Sequence, residues 1–275
     1  MRRGIRALAI VLLAAAAAAA CSSGRPSTTR ATDSPPRPAA SATTSAAGGA
    51  QPSSQPSTQT SRLPRGSEVV HLDPAKFSAR IDNPWWPMTP GSRWVFREVS
   101  GQGQTQIDEI TVTNRTKRIM GIDARVVHDV LTVNGQVAED TLDWYAQDAQ
   151  GNIWYMGEDT KEFENGKVTS TAGSWQAGVD GAQPGILLPA RPRPGLTYRQ
   201  EYLKGEAEDF ASVLSLDMRA KVPFGVFDHL LTTRDRTPLE PNVTEHKFYA
   251  RGVGPVLAMT VSGGSTREEL LSYKR

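Results

Sequence analysis

The side chains that could carry chemistry in this sequence are carboxylates, and most of them flank a stretch rich in glycine and proline, residues 173–195. They are Asp140, Asp143, Asp148, Glu158, Asp159, Asp180, Glu201, Glu206, Glu208 and Asp209. Hydrolysis of a glycosidic bond needs two carboxyl groups about 5–10 Å apart. Asp143 and Glu158 are a candidate catalytic pair if they lie on neighbouring strands, near tryptophans that could stack on sugar. The alternative, which we favour, is a solvated acidic face with turn-forming aspartates, and no catalytic residue.

Other catalytic patterns are missing from the sequence. The four histidines, His71, His128, His229 and His246, are isolated, without the spacing of a zinc site, and we expect hydrogen-bonded structural roles for His128 and His229. The acidic residues lack the alternating loop of a regular calcium site. Neither a Gly-x-Ser-x-Gly turn nor a phosphate-binding glycine loop is present. The sequence therefore predicts no metal and no cofactor.

The stretch 173–195 is the candidate binding loop, since connections this long are usually functional or disordered. It contains Trp175 and the apolar run 186–188, which argue against disorder. One interpretation is a loop that folds across a sheet and closes a cavity. The other is an ordered connection whose tryptophan fills the core. For the first interpretation the candidate ligand-binding residues are Trp144, Tyr145, Glu158, Asp159, Trp175, Asp180, Gln183 and Glu201.

The N-terminus has the layout of a secretory signal. Three arginines precede fourteen residues of Ala, Leu, Ile and Val, which end at Ala20, and this stretch is too short to span a bilayer comfortably. The next residue, Cys21, is the only cysteine. In this position, before Ser-Ser-Gly, Cys21 resembles the lipidated cysteine of bacterial lipoproteins. The resemblance implies a diacylglycerol on the sulfur, cleavage before Cys21, and anchoring to the outer face of the cell membrane. The alternative is an ordinary signal peptide in which Cys21 is incidental.

Charge and aromatic content divide the chain at about residue 66. Residues 1–66 hold eight arginines and one acid and no aromatic residue; their charge is +7, and since the whole chain is +2, residues 67–275 carry −5. We therefore predict a signal peptide (1–20), a disordered tether rich in Ser, Thr, Pro and Ala (21–66) and a β domain (67–275). A mildly acidic folded part excludes a basic nucleic-acid surface.

The folded part has the pattern of an antiparallel β protein, with short β-rich runs between turn residues. Asn134-Gly135 is the strongest hairpin signal. The segment 207–216 suits either a helix or a strand. The predicted strands are Trp94–Val99, Gln106–Thr113, Ala124–Val133, Gln136–Gln147, Asn152–Gly157, Thr197–Leu203, Val226–Arg234, Glu245–Ala250, Pro255–Val261 and Thr266–Tyr273.

Alternation within Gln136–Asp148 separates two faces. Ala138, Leu142, Trp144 and Ala146 form one face, which we expect in the core. The other face, expected to meet water or a groove, consists of Val137, Glu139, Thr141, Asp143, Tyr145 and Gln147. No βαβ rhythm or repeat is present. The predicted fold is a single curved antiparallel sheet, a half-barrel or barrel, with one helix allowed across its open face.

Two segments near the C-terminus carry a resemblance. They are Val222-Pro-Phe-Gly-Val-Phe and, after a spacer, Phe248-Tyr-Ala-Arg-Gly-Val-Gly-Pro-Val. This pair resembles a pattern of bacterial envelope proteins and lipoproteins that have curved antiparallel half-barrel sheets, with Arg251 where a proline is common. The middle block from Asp140 is similar to a group of uncharacterised secreted bacterial proteins. The resemblance implies the fold and no activity.

These features together predict a membrane-anchored extracytoplasmic lipoprotein, monomeric, whose non-catalytic β domain binds a small hydrophobic or amphipathic ligand or an envelope partner. One alternative is the carboxylate-dependent hydrolase of glycan or cell-wall material. The other is a structural or interaction module that presents Trp85 and Trp86 to a partner, although this aromatic pair is expected to pack against the edge of the sheet.

Overall fold

The computed structural model describes residues 62–100 and 103–275, which form one sheet of sixteen strands. The proposed signal peptide, Cys21 and nearly all of the tether lie outside these residues. A single 3-10 turn, Pro74–Lys76, precedes the first strand. The strands are β1 (Phe77–Ser78), β2 (Arg93–Val99), β3 (Thr105–Ile119), β4 (Ile122–Val133), β5 (Gln136–Asp148), β6 (Ile153–Glu164), β7 (Lys167–Ser170), β8 (Trp175–Gln176), β9 (Gln183–Leu188), β10 (Thr197–Arg199), β11 (Glu201–Tyr202), β12 (Phe210–Val222), β13 (Gly225–Arg236), β14 (Thr244–Ala250), β15 (Gly254–Ser262) and β16 (Arg267–Lys274).

The sheet is antiparallel and nearly closed into a barrel. Its main path runs β10-β12-β13-β14-β15-β16-β2-β3-β4-β5-β6-β9-β11, while β1 pairs with β5, and β7 and β8 pair with β6. The two ends of this path are joined covalently, because only Gln200 separates β10 from β11. The predicted barrel-like antiparallel sheet is confirmed.

The helix that the sequence allowed is not present: the described residues contain no α-helix, and therefore no helix that could cross a membrane. Most of segment 207–216 instead belongs to β12, where Ala211 lies opposite Asp235 of β13. Long-range pairing with β13 decides between the two local conformations that the sequence left open.

Tight turns set the register of the long hairpins. Asn134 and Gly135 join β4 to β5 with φ of 52° and 77°, as a two-residue hairpin with both central residues in the left-handed region requires. Asn165 and Gly166 repeat this arrangement between β6 and β7. Several strands are longer than predicted, and the β3–β4 pairing extends to Ile119 and Ile122. The predicted strand Thr197–Leu203 is instead divided into β10 and β11, which pair with different neighbours.

The N-terminal segment of the described chain packs against the barrel. Residues 81–88 place Trp85 and Trp86 in the core, with 4% and 1% of their surfaces exposed. Pro64 and Gly66, at the end of the predicted tether, accept hydrogen bonds from the backbone and guanidinium of Arg199 respectively. Ordered contacts with the domain therefore begin a few residues before position 67.

The face of β5 that the sequence assigned to water or a groove is inside the barrel. Glu139, Thr141, Asp143 and Tyr145 are each no more than 6% exposed. On the face assigned to the core, Trp144 and Ala146 are buried as expected, while Ala138 and Leu142 are only partly buried. On the other face Val137 is exposed as expected. The assignment of the remaining inner residues to water was wrong because a nearly closed barrel buries its inner face whatever that face is made of, and here the inner face is polar.

Candidate functional site

Eleven carboxyl side chains line the inside of the barrel or its rim, all at most 6% exposed. They come from nine of the thirteen strands of the main path and, for Asp209, from the residue before β12. We call this set the carboxylate belt: Glu98, Asp108, Asp129, Glu139, Asp143, Glu158, Glu201, Asp209, Asp235, Glu245 and Glu268. Burial of ionised carboxylates is costly unless they are paired or protonated, so this arrangement requires compensation.

One ammonium group provides part of that compensation. Lys247 of β14 is 1% exposed, and its Nζ lies 3.4 Å from Asp235 Oδ2 and 3.9 Å from Glu245 Oε2. Burial alone would lower the pKa of Lys247, but the carboxylates of Asp235, Glu245 and Asp209 outweigh that effect and raise it. The lysine is therefore charged at neutral pH.

In the sector formed by β16, β2 and β3, protonation of the carboxyls compensates for the cost of their burial. Burial raises the pKa of Glu98 to about 8, and the carboxyls of Glu268 and Glu245 add to the rise. Burial likewise raises the pKa of Glu268 to about 8. For Asp108, burial and the neighbouring Asp129 and Glu268 carboxyls raise the pKa well above its ordinary value. Neighbouring carboxyls in this sector hold protons at neutral pH.

A row of aromatic rings runs beside the belt. Trp86 lies at the centre of one end, with its ring 6.1 Å from Trp94 and Tyr145 and 6.4 Å from Tyr249. Tyr145 stacks on Tyr155 at 4.9 Å. Trp175 is the last ring of the row; it packs edge to face against Tyr155, with 5.3 Å between the ring centroids. The inside of the barrel thus combines apolar rings with carboxyl groups.

The aromatic row and the belt meet at Asp143, where Tyr155 donates its phenolic hydroxyl to Oδ1 across 2.6 Å. Asp143 and Glu158 lie directly opposite each other on β5 and β6, on the same inner face. Glu158 in turn lies opposite Trp175 of β8. The geometry thus brings together the carboxyls of the predicted catalytic pair, and it encloses them.

Glu201 completes this part of the belt. Burial raises its pKa well above the ordinary value, with further rises from the Asp209, Glu158 and Asp143 carboxyls, while the indole N–H of Trp175 opposes the rise. Of the eight predicted ligand-binding residues, the structure therefore groups four: Tyr145, Glu158, Trp175 and Glu201. Their role in binding stays a prediction.

The other four predicted residues lie elsewhere. Trp144 is on the opposite face of β5, where the Lys117 ammonium lies 3.2 Å from its ring centroid and Asp159 is close to that lysine. Asp180 is exposed in a turn, with φ of 51°. Gln183 accepts a hydrogen bond from the Val70 backbone N–H and so secures the N-terminal segment. These residues do not share one site.

The stretch 173–195 is largely ordered strand and turn. It contains β8 and β9, and Trp175 is 4% exposed. This arrangement matches the interpretation in which the tryptophan fills the core. The burial of Trp85 and Trp86 likewise removes the surface that the interaction-module alternative required. His128 and His229 make the expected hydrogen bonds, to Asp140 and Asp217.

Sequence reasoning missed six of the eleven belt carboxyls, including Glu98 and Asp108, and it also missed Lys247. The available signal was the parity of the strands: in β2, Glu98 shares a face with the large apolar residues Trp94 and Phe96. A carboxylate on the apolar face of a strand indicates a buried polar group, which is more informative than an exposed apolar one.

Two shallow surface pockets lie apart from the belt. One is lined by Ile107, Glu109, Thr111, His128, Val130 and Thr132 of β3 and β4. The other lies between residues 74–79 and the turn that joins β3 to β4. Neither lining includes a belt residue. In the described part of the chain, no group of three or more His, Cys, Asp or Glu side chains is arranged to hold a metal ion.

The class defined by these observations is an antiparallel, nearly closed β-barrel-like protein with an acidic and aromatic interior. Neither protein-family models nor curated proteins give a match to the chain.

Three solved structures are similar to it. A protein assigned as exported, with a YmcC-like fold, from Bacteroides fragilis is 14% identical and has a TM-score of 0.40, over 69% of this chain and 98% of that one. A protein assigned as a lipoprotein from Parabacteroides distasonis is 12% identical, with a TM-score of 0.40 over 70% and 99% of the two chains. A β-barrel-like protein of the domain of unknown function DUF1849 from Brucella abortus is 10% identical, with a TM-score of 0.36 over 72% and 99%.

Proposed function

We propose that this chain is a lipoprotein anchored through Cys21 to the extracytoplasmic face of a cell membrane, and that its β domain binds a small amphipathic ligand without catalysis. The anchor is supported by the position of Cys21 after a charged and then apolar leader. Two acyl chains hold a protein stably on a membrane, since each buried methylene contributes about 0.8 kcal/mol.

The observation that carries the ligand-binding function is the junction between the aromatic row and the carboxylate belt. There Tyr155 contacts both the Trp175 ring and the Asp143 carboxyl, so apolar surface and a carboxyl group adjoin the same side chain. Ligand sites in proteins are mostly apolar, with a few polar groups that fix orientation. An amphipathic molecule matches that combination better than a purely hydrophobic one.

The ligand-binding function is tested with the chain from Ser22 onwards, which lacks the leader and the lipidated cysteine but keeps the whole sheet and its core. We would incubate it with a lipid extract of cell envelopes and analyse it by native mass spectrometry. We expect a bound molecule of defined mass that raises the unfolding temperature when added back. Recovery of only the unliganded mass, with no shift by any extract fraction, would contradict ligand binding.

The anchor is tested separately with the full chain. Cys21→Ala should move the protein from the membrane pellet to the soluble or unprocessed fraction, and mass spectrometry of the wild-type N-terminus should show a diacylglyceryl group on Cys21. A matched control, Ser22→Ala, should leave membrane attachment unchanged. An unmodified Cys21, or equal sedimentation of both variants, would overturn the anchor.

The hydrolase remains a second candidate because Asp143 and Glu158 do share one face and one register position. A general acid in this pair would release reducing sugar from cell-wall glycan, and Asp143→Asn would abolish that release. Asp140→Asn, on the outer face of the same strand, is the control. Unchanged release with Asp143→Asn, or no release by the wild type, excludes this candidate.

A further inference from the structure

The hairpin of β12 and β13 ends in exposed apolar side chains. Nine large hydrophobic side chains of the described residues are more than 40% exposed, and three of them, Met218, Phe224 and Val226, belong to this one hairpin. Phe224 is the only aromatic residue among the nine. We call the segment from Lys221 to Phe227 the hairpin tip. Exposed apolar residues gathered in one place mark a contact with a partner or a membrane, whereas scattered ones are ordinary.

The hairpin tip is held in a fixed position on the barrel. Val222, the last residue of β12, is buried, with 4% of its surface exposed. The backbone N–H of Phe224 donates to the carbonyl of Leu270 in β16 across 3.0 Å. The Phe224 ring stacks on the partly buried Phe227, with 6.3 Å between the ring centroids. The exposed side chains are thus presented on an ordered backbone, so docking orders little additional chain.

Three basic side chains lie at the same end of the barrel as the tip. Strands β12, β14 and β16 run in the same direction, because β13 and β15 are antiparallel to their neighbours. Lys221 lies next to the last residue of β12, Arg251 directly follows β14, and Lys274 is the last residue of β16. All three are exposed. We call these three residues the basic rim.

The positive charge of the basic rim is not neutralised within the domain. Among the described residues, no member of the rim takes part in an ion pair, whereas Arg93 and Arg219, also at this end, pair with Glu109 and Asp228. This end therefore presents positive charge, although residues 67–275 carry −5 overall. Positive charge beside apolar side chains is complementary to the surface of an anionic membrane.

The small area of the tip favours a membrane over a protein partner. An aromatic side chain buries about 150–250 Å², so Phe224 at 41% and Val226 at 50% exposure together offer on the order of 150 Å². Stable protein interfaces need about 800 Å² from each partner. The interface of a bilayer requires no matching shape, and it accepts single apolar side chains between its head groups.

We propose that the hairpin tip inserts Phe224 and Val226 into the interface of an anionic phospholipid bilayer, while the basic rim contacts the lipid phosphates. This docking sets the orientation of the β domain on the membrane. It is independent of the proposed ligand-binding function, and it does not need the lipid on Cys21, which would only raise the local concentration of the domain at the bilayer.

The length of the chain before the domain is compatible with docking by a lipidated protein. Pro64 accepts a hydrogen bond from the backbone N–H of Arg199, and Arg199 lies opposite Phe210, at the end of β12 away from the tip. The thirteen residues of β12 span about 40 Å. About 40 residues lie between Cys21 and Leu63, and at most about 3.3 Å per residue gives a contour length of about 130 Å. This length exceeds the distance from the start of β12 to the tip.

The experiment uses the chain from Ser22 onwards, which contains no cysteine and therefore allows labelling at one introduced cysteine. Val226→Cys places an environment-sensitive dye at the tip. Val137→Cys is the matched control: Val137 is 41% exposed near the start of β5, and since β5 runs in the same direction as β16 this position lies at the opposite end of the barrel. On vesicles of phosphatidylglycerol and phosphatidylcholine, the dye at 226 should shift its emission to the blue and be shielded from a water-soluble quencher. The dye at 137 should do neither.

Co-sedimentation with the same vesicles measures the contribution of each part. The double variant Phe224→Ser/Val226→Ser should bind about tenfold more weakly, because it removes the inserted apolar surface, and Val137→Ser should bind as wild type. Lys221→Gln should weaken binding about fivefold, since one lysine near an anionic surface contributes about that factor. Binding should also weaken in high salt and on vesicles of phosphatidylcholine alone. Unchanged urea midpoints verify that the variants are folded.

The outcomes decide between the possible contacts of this surface. Equal dye responses at 226 and 137, or undiminished sedimentation of the double variant, would overturn tip insertion and assign vesicle binding to another part of the chain. Self-association that the double variant abolishes, without vesicle binding by the wild type, would also overturn it and assign the tip to a second copy of this chain. Neither result affects the lipidation of Cys21 or the binding of a small ligand, which have their own tests.

Discussion

The indole ring of Trp86 lies directly against the Cα of Gly254. A Cβ atom at position 254 would be 2.7 Å from Cδ1 of Trp86, closer than Cβ atoms approach other heavy atoms in real structures, and the residue has φ of 108°. Trp86 fills one end of the barrel and contacts Trp94, Tyr145 and Tyr249. Glycine at 254 is therefore what permits this tryptophan to close the barrel.

Gly254→Ala should lower the free energy of unfolding by about 2–4 kcal/mol, because it adds a clash with Trp86 to an unfavourable backbone conformation. Gly252→Ala is the matched control: it also has positive φ, 76°, but nothing lies within 4 Å of its added methyl. That variant should cost only about 1 kcal/mol. Urea unfolding of both variants measures the difference, and equal losses would refute the proposed contact.

The raised pKa values of the belt predict that the domain loses stability as the pH rises. The folded-state pKa values of Glu98 and Glu268 are about 8, against ordinary values near 4.5, so the folded state binds protons that the unfolded chain has released between these limits. Each such group lowers the free energy of unfolding by about 1.4 kcal/mol per pH unit in this window.

Thermal unfolding across pH 4.5 to 8.5 should show a decreasing midpoint. Glu98→Gln removes one titrating group and should make this dependence less steep. Glu109→Gln, at a partly exposed position on the neighbouring strand β3, is the control and should leave the slope unchanged. A midpoint that rises over this range would contradict the protonated belt.

Replacement of the buried Lys247 ammonium should lower the free energy of unfolding, and by a larger amount at high pH. Lys247→Met leaves Asp235 and Glu245 without their counter-charge, and loss of one partner of a buried ion pair costs about 3–5 kcal/mol. Burial raises the pKa of Glu245 to about 7 even with Lys247 present. At pH 5 the carboxyls can take up protons, so the cost should be smaller there than at pH 8.

Chemical unfolding of Lys247→Met at pH 5 and pH 8 measures this difference. Lys161→Met serves as the surface control, because the Lys161 side chain is 40% exposed beside Asp159, and this substitution should cost little at either pH. If Lys247→Met loses the same free energy of unfolding at both pH values, protonation of the belt carboxyls does not compensate for the missing ammonium.

Asp148 organises the turn between β5 and β6. Its carboxylate accepts hydrogen bonds from the backbone N–H groups of Gln150 and Asn152, from Asn152 Nδ2 and from the indole of Trp154. Asp148→Ala leaves buried donors without an acceptor and should cost about 2–4 kcal/mol in unfolding free energy.

Asp148→Asn retains one acceptor oxygen and should recover part of that loss. Asp159→Ala, on the outer face of β6, is the control and should change stability by less than about 0.5 kcal/mol. If Asp148→Ala and Asp159→Ala unfold at the same denaturant concentration, this turn does not contribute as the geometry indicates.

Local sequence patterns were sufficient for most of the strands. Alternation marked β5 from Gln136, and Asn134-Gly135 located its hairpin, because period-two patterns and left-handed turn residues act over a few positions. The segment 207–216 could not be resolved in this way. Its local preferences are balanced, and its pairing partner in β13 lies about twenty residues further along the chain.

The candidate site was only partly predictable. Trp175, Glu158 and Glu201 were named from their clustering near the glycine-rich stretch, and the structure brings them together. Trp144 and Asp180 were named on the same grounds and lie elsewhere. Residues that are close in sequence can point to opposite faces of a strand. A single bulge or turn between them is also enough to place their side chains in different parts of the fold.

The sequence by itself determined that the folded part is an antiparallel β protein, since this property follows from local composition and spacing; the leader and the lipidation of Cys21 stay predictions from the same kind of pattern. Only the tertiary structure decided which face of each strand lies inside. The near-closure of the sheet, whose end strands β10 and β11 are joined through Gln200, encloses the side chains that point inward, and it gathers carboxylates from distant parts of the sequence into one buried belt. Period-two alternation places the side chains of a strand on two faces, and pairing with distant strands determines which of the two faces lies inside the barrel.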